Sequence, residues 1–169
     1  MYKVGEYIVH PGQGVCKVED IVEQPQESYM LMPVGVPHPM RISFPVASEG
    51  RLRPVLSHDD AQRLIDGYMD LPVDDYESKS VALEEQYYKD KIRQGTCLDS
   101  VRTVKTFRTR IAEARANNKK PPVVYERILK KASKRSLEEL SVALGISQED
   151  VIALFESVDT GFAEDVAQS

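Results

Sequence analysis

The sequence predicts an α+β protein: a small antiparallel β-barrel at the N-terminus, followed by an all-α domain. Three observations carry that expectation. Residues 1–72 hold six of the nine glycines and eight of the ten prolines, whereas residues 73–144 hold one glycine, Gly95, and one proline pair, Pro121-Pro122. Short β-prone runs fill the first part, and apolar residues at helical spacing fill the second. Charge is segregated as well. Residues 86–135 contain 15 of the 22 Lys and Arg but only 4 of the 27 Asp and Glu, a local charge of +11 in a chain whose total is −5. The expected domains are residues 1–70 and 74–169.

The strands come first. Tyr7-Ile8-Val9-His10 is a short run stopped by Pro11-Gly12, a dipeptide suited to a type II turn. In the run from Gly14 to Glu23, the apolar residues Val15, Val18 and Ile21 recur every third position. That breaks the alternation of a regular strand and predicts a bulge or strong bend. Tyr29 to Met32 gives a third strand. In the segment from Met40 to Val46, the residues Met40, Ile42, Phe44 and Val46 share one face, with Arg41 and Ser43 on the other. Pro45 cannot donate to a ladder and favours a sheet edge or strand end. Four or five short strands in about 55 residues suit a Tudor or SH3-like barrel better than a sandwich.

The helices follow. Ser57 is a capping residue, with Asp59 and Asp60 at the positive end of a helix whose Ala61, Leu64, Ile65 and Tyr68 are expected to pack on the barrel. A helix from Tyr76 to Arg93 ends at Gly95. The next, from Cys97 to Ala116, buries Val101, Val104, Phe107 and Ile111, leaving Arg102, Lys105, Arg108 and Arg115 off that stripe. After a loop over residues 117–122, a third helix runs from about Pro122 to Leu144. It buries Ile128, Leu129, Ala132, Leu140 and Leu144, and Gly145 supplies a left-handed cap. Ser136 to Glu139 could form a capping box, but no glycine or proline precedes it, so the helix is read as continuous. Ser147 opens the last helix, with Asp150 three residues on and Ile146 and Val151 placed as a hydrophobic staple.

Several functions find no support. No apolar run approaches the ~20 residues that cross a bilayer, and the N-terminus lacks a signal-peptide core, so the cytoplasm is expected. Cys16 and Cys97 are isolated thiols without C-x-x-C spacing, consistent with a reducing compartment. His10, His38 and His58 each sit in or beside a turn, and Asp59-Asp60 and Asp74-Asp75 read as helix-start and linker acids. No phosphate-binding glycine loop and no nucleophile elbow is present. The expectation is a protein without catalysis, metal or cofactor. The basic stretch instead predicts contact with phosphates, because a one-signed cationic field attracts them even on an acidic molecule.

The segment from Val4 to Ile21, VGEYIVHPGQGVCKVEDI, resembles the opening of the CarD/CdnL family of bacterial transcription regulators, a module shared with the transcription-repair coupling factor. Ile42 to Val46 is similar to the family's later V-x-V-P strand, and Leu52 to Val55 to the stretch leading into its helix. Gln94-Gly95-Thr96 resembles the S-G-D turn between its first two C-terminal helices. The segments 127–132 and 140–146 resemble its long fourth helix and the end of it.

The resemblance implies a two-part adaptor that docks its barrel on the RNA polymerase β subunit; a monomer is expected. Its helical domain would touch promoter DNA at the upstream edge of the melted bubble and stabilise the open complex. Gln24, Met40, Arg41, Ile42, Ser43 and Phe44 are the polymerase-binding candidates. Arg93, Arg102, Lys105, Arg110, Lys119, Lys120 and Arg127 are the candidates for phosphate contact. Arg110 is foremost, fifteen residues after the turn glycine, where the family has a basic DNA contact. The family's wedge tryptophan, fourteen residues before that glycine, is replaced by Val81, and the chain has no tryptophan. Tyr87 or Tyr88 could take its place. Two rivals stay open: an adaptor whose basic helices bind an acidic protein, and a peptide reader with a cage drawn from Tyr2, Tyr7, Tyr29 and Phe44.

Overall fold

The computed structural model describes residues 1–167. It divides into two units, Met1–Leu56 and Ser57–Ser169. The first is a five-stranded antiparallel sheet of order β4-β3-β2-β1-β5, formed by β1 (Tyr7–His10), β2 (Gly14–Val22), β3 (Ser28–Pro33), β4 (Ile42–Pro45) and β5 (Arg53–Pro54). The sheet does not close into the expected barrel. Its end strands are four and two residues long, and each ends in a proline that offers no N–H. The bend expected in β2 is a register shift between Val18 and Asp20. The first turn differs from the type II expectation, because the positive φ, 78°, falls on Gly14 rather than Gly12. His10 Nδ1 accepts hydrogen bonds from the Gly12 and Gln13 amides at 3.0 and 3.1 Å, which holds that turn.

One face of the sheet is apolar. Ile8, Cys16, Val18, Tyr29, Leu31, Phe44 and Leu52 form its core, with Ile42 and Val46 packed beside them. Tyr29 is fully buried, and its hydroxyl donates to Glu49 at 2.6 Å. Met40 does not join Ile42 and Phe44 on that face. It precedes the strand and is 81% exposed.

The second unit comprises α1 (His58–Asp66), α2 (Val81–Gln94), α3 (Cys97–Ala116), α4 (Val123–Leu144), α5 (Gln148–Val158) and α6 (Phe162–Ala167). Helix α1 belongs here rather than with the sheet, since it packs against α4 and α5. The Tyr68 ring that follows it meets Phe155 and Phe162 edge-on at 5.3 and 5.6 Å. Phe162 lies on α6, a short helix beyond the last one expected from the sequence.

The caps explain most boundaries. Ser57, Ser80, Thr96 and Ser147 each accept an amide hydrogen bond from the first turn of their helix, and Thr96 with Asp99 completes a capping box. Helix α2 starts at Val81 rather than Tyr76 because Ser80 caps it and residues 71–80 form no helix. Helix α4 is continuous through Ser136 and ends at Gly145, whose φ of 67° lies in the left-handed region. Leu144 is half-buried rather than core.

Gly95 joins α2 to α3 through a close approach. A Cβ at this position would lie 2.4 Å from the Lys91 carbonyl and 2.5 Å from an Asp99 carboxylate oxygen. Gly95→Ala must therefore shift backbone, and overpacking of that kind costs about 1–3 kcal/mol. The expected outcome is a lower melting temperature followed at 222 nm; an unchanged melt would contradict the close approach.

Candidate functional site

In the sheet unit, β4 is an end strand that pairs only with β3, in the register Tyr29↔Phe44, Met30↔Ser43 and Leu31↔Ile42. Its far side is therefore an open edge among the described residues. Arg41 and Ser43 are exposed along it, and Arg41 pairs with Glu19 at 3.2 Å. Phe44 is buried in the core, its ring 5.4 Å from His10, so it supports the edge rather than presenting a surface. Gln24 sits in the β2–β3 turn, beyond the Pro45 end of the strand, while Arg41 and Met40 lie at the other end. The structure thus gathers Met40, Arg41, Ile42 and Ser43 and leaves Gln24 apart. A peptide-reading cage is not formed, since Tyr29 and Phe44 are core residues and Tyr2 is edge-on to Tyr29 at 5.9 Å.

In the helical unit, the α3 cations Arg102, Lys105, Arg108 and Arg110 turn toward other segments of the unit, whereas Arg115 is exposed. The segment from Tyr68 to Tyr76 crosses α3, and a stripe at i, i+3, i+4 and i+8 holds it there. Arg102 Nε donates to the Pro72 carbonyl at 3.1 Å. Lys105 Nζ donates to the carbonyls of Tyr68, Met69 and Leu71 at 3.1, 2.7 and 2.6 Å. The Thr106 hydroxyl accepts from the Asp74 amide at 2.9 Å. Arg110 completes the stripe, donating to Glu84 at 2.6 Å, the Tyr76 carbonyl at 2.6 Å and the Tyr88 hydroxyl at 3.2 Å. Its guanidinium also lies 5.1–5.9 Å from the rings of Tyr88, Phe107 and Tyr125, and its side chain is 11% exposed. Arg110 and Lys105 spend their donors within the protein, while Arg102 commits its Nε. Arg110, the foremost candidate for DNA in the sequence reading, is an interior cation.

Arg108 is held in the same way. It donates to Asp159 at 2.6 Å, Asp165 at 2.8 Å and the Tyr68 hydroxyl at 2.9 Å. Burial alone would favour its neutral form, but Tyr68 and the two carboxylates outweigh it and hold the guanidinium charged.

Neither tyrosine is a free ring. Tyr88 is fully buried, edge-on to Phe107 at 4.7 Å, and burial pushes its hydroxyl pKa up. Tyr87 stacks on Tyr76 at 3.9 Å and donates to Asp74 at 3.3 Å. Val81, which the resemblance sets against the wedge tryptophan, is 55% exposed as the first residue of α2.

A different set of cations faces solvent. Arg93, Lys119 and Lys120 are exposed, as are Arg127, Lys130, Lys131 and Lys134 on α4. The last four recur at i, i+3, i+4 and i+7, so they form one stripe, about 10 Å long at 1.5 Å per residue. Arg127 reaches Glu85 on α2 at 3.0 Å yet remains 62% exposed. Burial raises the Glu85 carboxyl, but Arg127 and Lys89 outweigh it and hold it below the usual carboxylate range. The sequence reading named Arg127 but missed Lys130, Lys131 and Lys134. Their signal was the helical phase: the buried Ile128, Leu129 and Ala132 turn all four cations outward. Among the described residues there is no metal-ligating cluster and no helix long and apolar enough to cross a membrane.

Residues 2–56 match the family model of the CarD-like/TRCF RID domain. The match covers the sheet unit, which is similar to that domain, and supports an RNA polymerase-interacting, transcription-factor kind of role. No curated protein matches the chain.

The burial of Arg110 has a direct consequence for stability. Arg110→Ala would leave Glu84 buried and unpaired, a loss on the order of 3–5 kcal/mol. Urea denaturation should show that drop for Arg110→Ala, whereas Lys130→Ala should stay within about 0.5 kcal/mol of the parent. Equal stabilities would contradict the interior role.

Proposed function

We propose that this protein is a CarD-like, non-enzymatic regulator of transcription initiation that joins the RNA polymerase β subunit to promoter DNA in the cytoplasm. The sheet unit docks on polymerase through the β4 edge, where backbone pairing with a partner strand satisfies the open amides and carbonyls. The helical unit contacts DNA near the upstream edge of the bubble and stabilises the open complex. The α4 stripe of Arg127, Lys130, Lys131 and Lys134 is the observation that carries the DNA half, with Lys119 and Lys120 in the loop before it. Lysines act as flexible point charges suited to phosphates, and phosphate contacts position a protein without reading bases. Binding is therefore weak and largely independent of sequence.

Charge reversal on the stripe tests this reading. In Lys130→Glu/Lys131→Glu/Lys134→Glu, affinity for forked promoter DNA in the presence of polymerase should fall by more than about tenfold. The slope of log affinity against log salt should flatten by about 3, since each phosphate neutralised contributes about 0.9. The loss should be equal across promoter sequences. Unchanged affinity, or no salt-dependent DNA binding in the parent, would favour an acidic protein partner for the same cations.

The wedge position gives a second test. Inserting a side chain between base steps costs a few kcal/mol of unstacking, which a large ring repays and a valine does not. Val81→Trp should lengthen open-complex lifetime after competitor challenge. Tyr87→Ala should leave it unchanged, because that ring is engaged with Tyr76 and Asp74. A Val81→Trp lifetime equal to the parent would remove Val81 from the DNA contact.

A further inference from the structure

The sheet unit carries an exposed feature that the docking edge does not account for. From Ser28 to Met40 the chain contains no Asp, Glu, Lys or Arg, although 29% of the whole chain is charged. The first part of that run is β3, which is largely buried. The second part, Val34 to Met40, is the β3–β4 connection and lies mostly at the surface. Val34, Val36 and Met40 are 42%, 39% and 81% exposed, and Pro37, His38 and Pro39 are exposed beside them. A connection that served only to join two strands would gain solubility from polar residues here. An exposed uncharged apolar run instead marks a contact surface.

Two further observations bear on what it contacts. The loop is tethered: the Val34 amide donates to the Val15 carbonyl at 3.1 Å, and Pro33, Pro37 and Pro39 restrict its backbone. A restrained loop loses less freedom on binding than a flexible one. The loop also runs directly into the open edge, since Met40 and Arg41 lead into β4 at Ile42. Whatever pairs with β4 meets this loop next. The edge itself offers little charge, because Arg41 is drawn to Glu19.

We infer that the loop over residues 34–40 is a second polymerase-docking element, seating Val34, Val36 and Met40 on an apolar patch of the polymerase surface that flanks the strand-pairing edge. The inference rests on the docking reading above and deepens it. It makes that contact apolar and therefore nearly insensitive to salt, in contrast to the α4 stripe.

The experiment compares full-length parent and Val34→Ser/Val36→Ser/Met40→Ser for binding to purified RNA polymerase core at low and high salt. The triple variant should bind polymerase at least about tenfold more weakly at both salt concentrations. Its melting curve and its salt-dependent DNA affinity should match the parent. Parent binding with an unchanged triple variant overturns the loop inference and leaves edge docking standing. Absence of polymerase binding by the parent overturns the docking reading and the loop with it. Concentration-dependent self-association in sedimentation that the triple variant abolishes, at unchanged polymerase affinity, would assign the loop to a second copy of the chain and overturn the inference as well.

Discussion

The helical unit depends on a guanidinium placed where water is nearly excluded. Arg110 ties α3 to α2 through Glu84, holds the chain ahead of α2 through the Tyr76 carbonyl, and lies over rings from α2, α3 and α4. A buried charge is tolerated only when its donors are satisfied and its partner is close, and these contacts meet both conditions. The constraint runs outward from there. The carbonyls of Leu71, Pro72 and Tyr76 serve as acceptors for α3, which keeps that segment out of the helix, and α2 begins at Val81 behind its Ser80 cap. Arg102 and Lys105 extend the same clamp, and the Lys105 ammonium spends three hydrogen bonds on it.

The local charge of +11 is thus divided by helical phase rather than spread over one surface. Arg102, Lys105 and Arg110 donate to carbonyls and a carboxylate within the unit, and Arg108 takes up two of the C-terminal acids. The α4 cations, opposite a buried apolar face, stay outside. The exposed cations, with Arg93, Arg115, Lys119 and Lys120 among them, dominate the field felt by a polyanion, so the effective charge for binding is a fraction of the formal one. Salt dependence should follow the exposed stripe and its neighbouring lysines, not the composition of the whole segment.

Much of the fold was legible because its signals are local. The bounds of α3 follow from Thr96, Asp99 and a loop rich in Asn and Lys, and the end of α4 follows from Gly145, each acting within one turn of the residue that carries it. The strands were legible for the same reason. The start of α2, the placement of α1 and the openness of the sheet were not, because each is set by a partner distant in sequence. Tyr76 has adequate helix propensity but spends its carbonyl on Arg110, thirty-four residues away. Tyr68 has the spacing of a helix residue but packs on Phe155 and Phe162. The candidate cations divide in the same way: Arg110 is interior, whereas Arg93, Lys119, Lys120 and Arg127 are exposed. Sequence position identified which residues are basic, while phase against the buried core determined which remain free to bind.

Weak individual contacts are the arrangement such an adaptor calls for. On the proposed reading, docking on polymerase converts DNA contact from an encounter in solution into one within the complex, at an effective concentration fixed by tethering. A stripe of a few lysines without a ring is then sufficient, because it need not find DNA alone. Stronger base-reading contacts would tie the protein to particular sequences, and phosphate contacts avoid that. The division also separates the two halves by solvent response: backbone pairing and apolar contact at the sheet change little with salt, whereas the α4 stripe weakens steeply. Rising ionic strength should therefore strip the DNA contact first and leave the protein on polymerase.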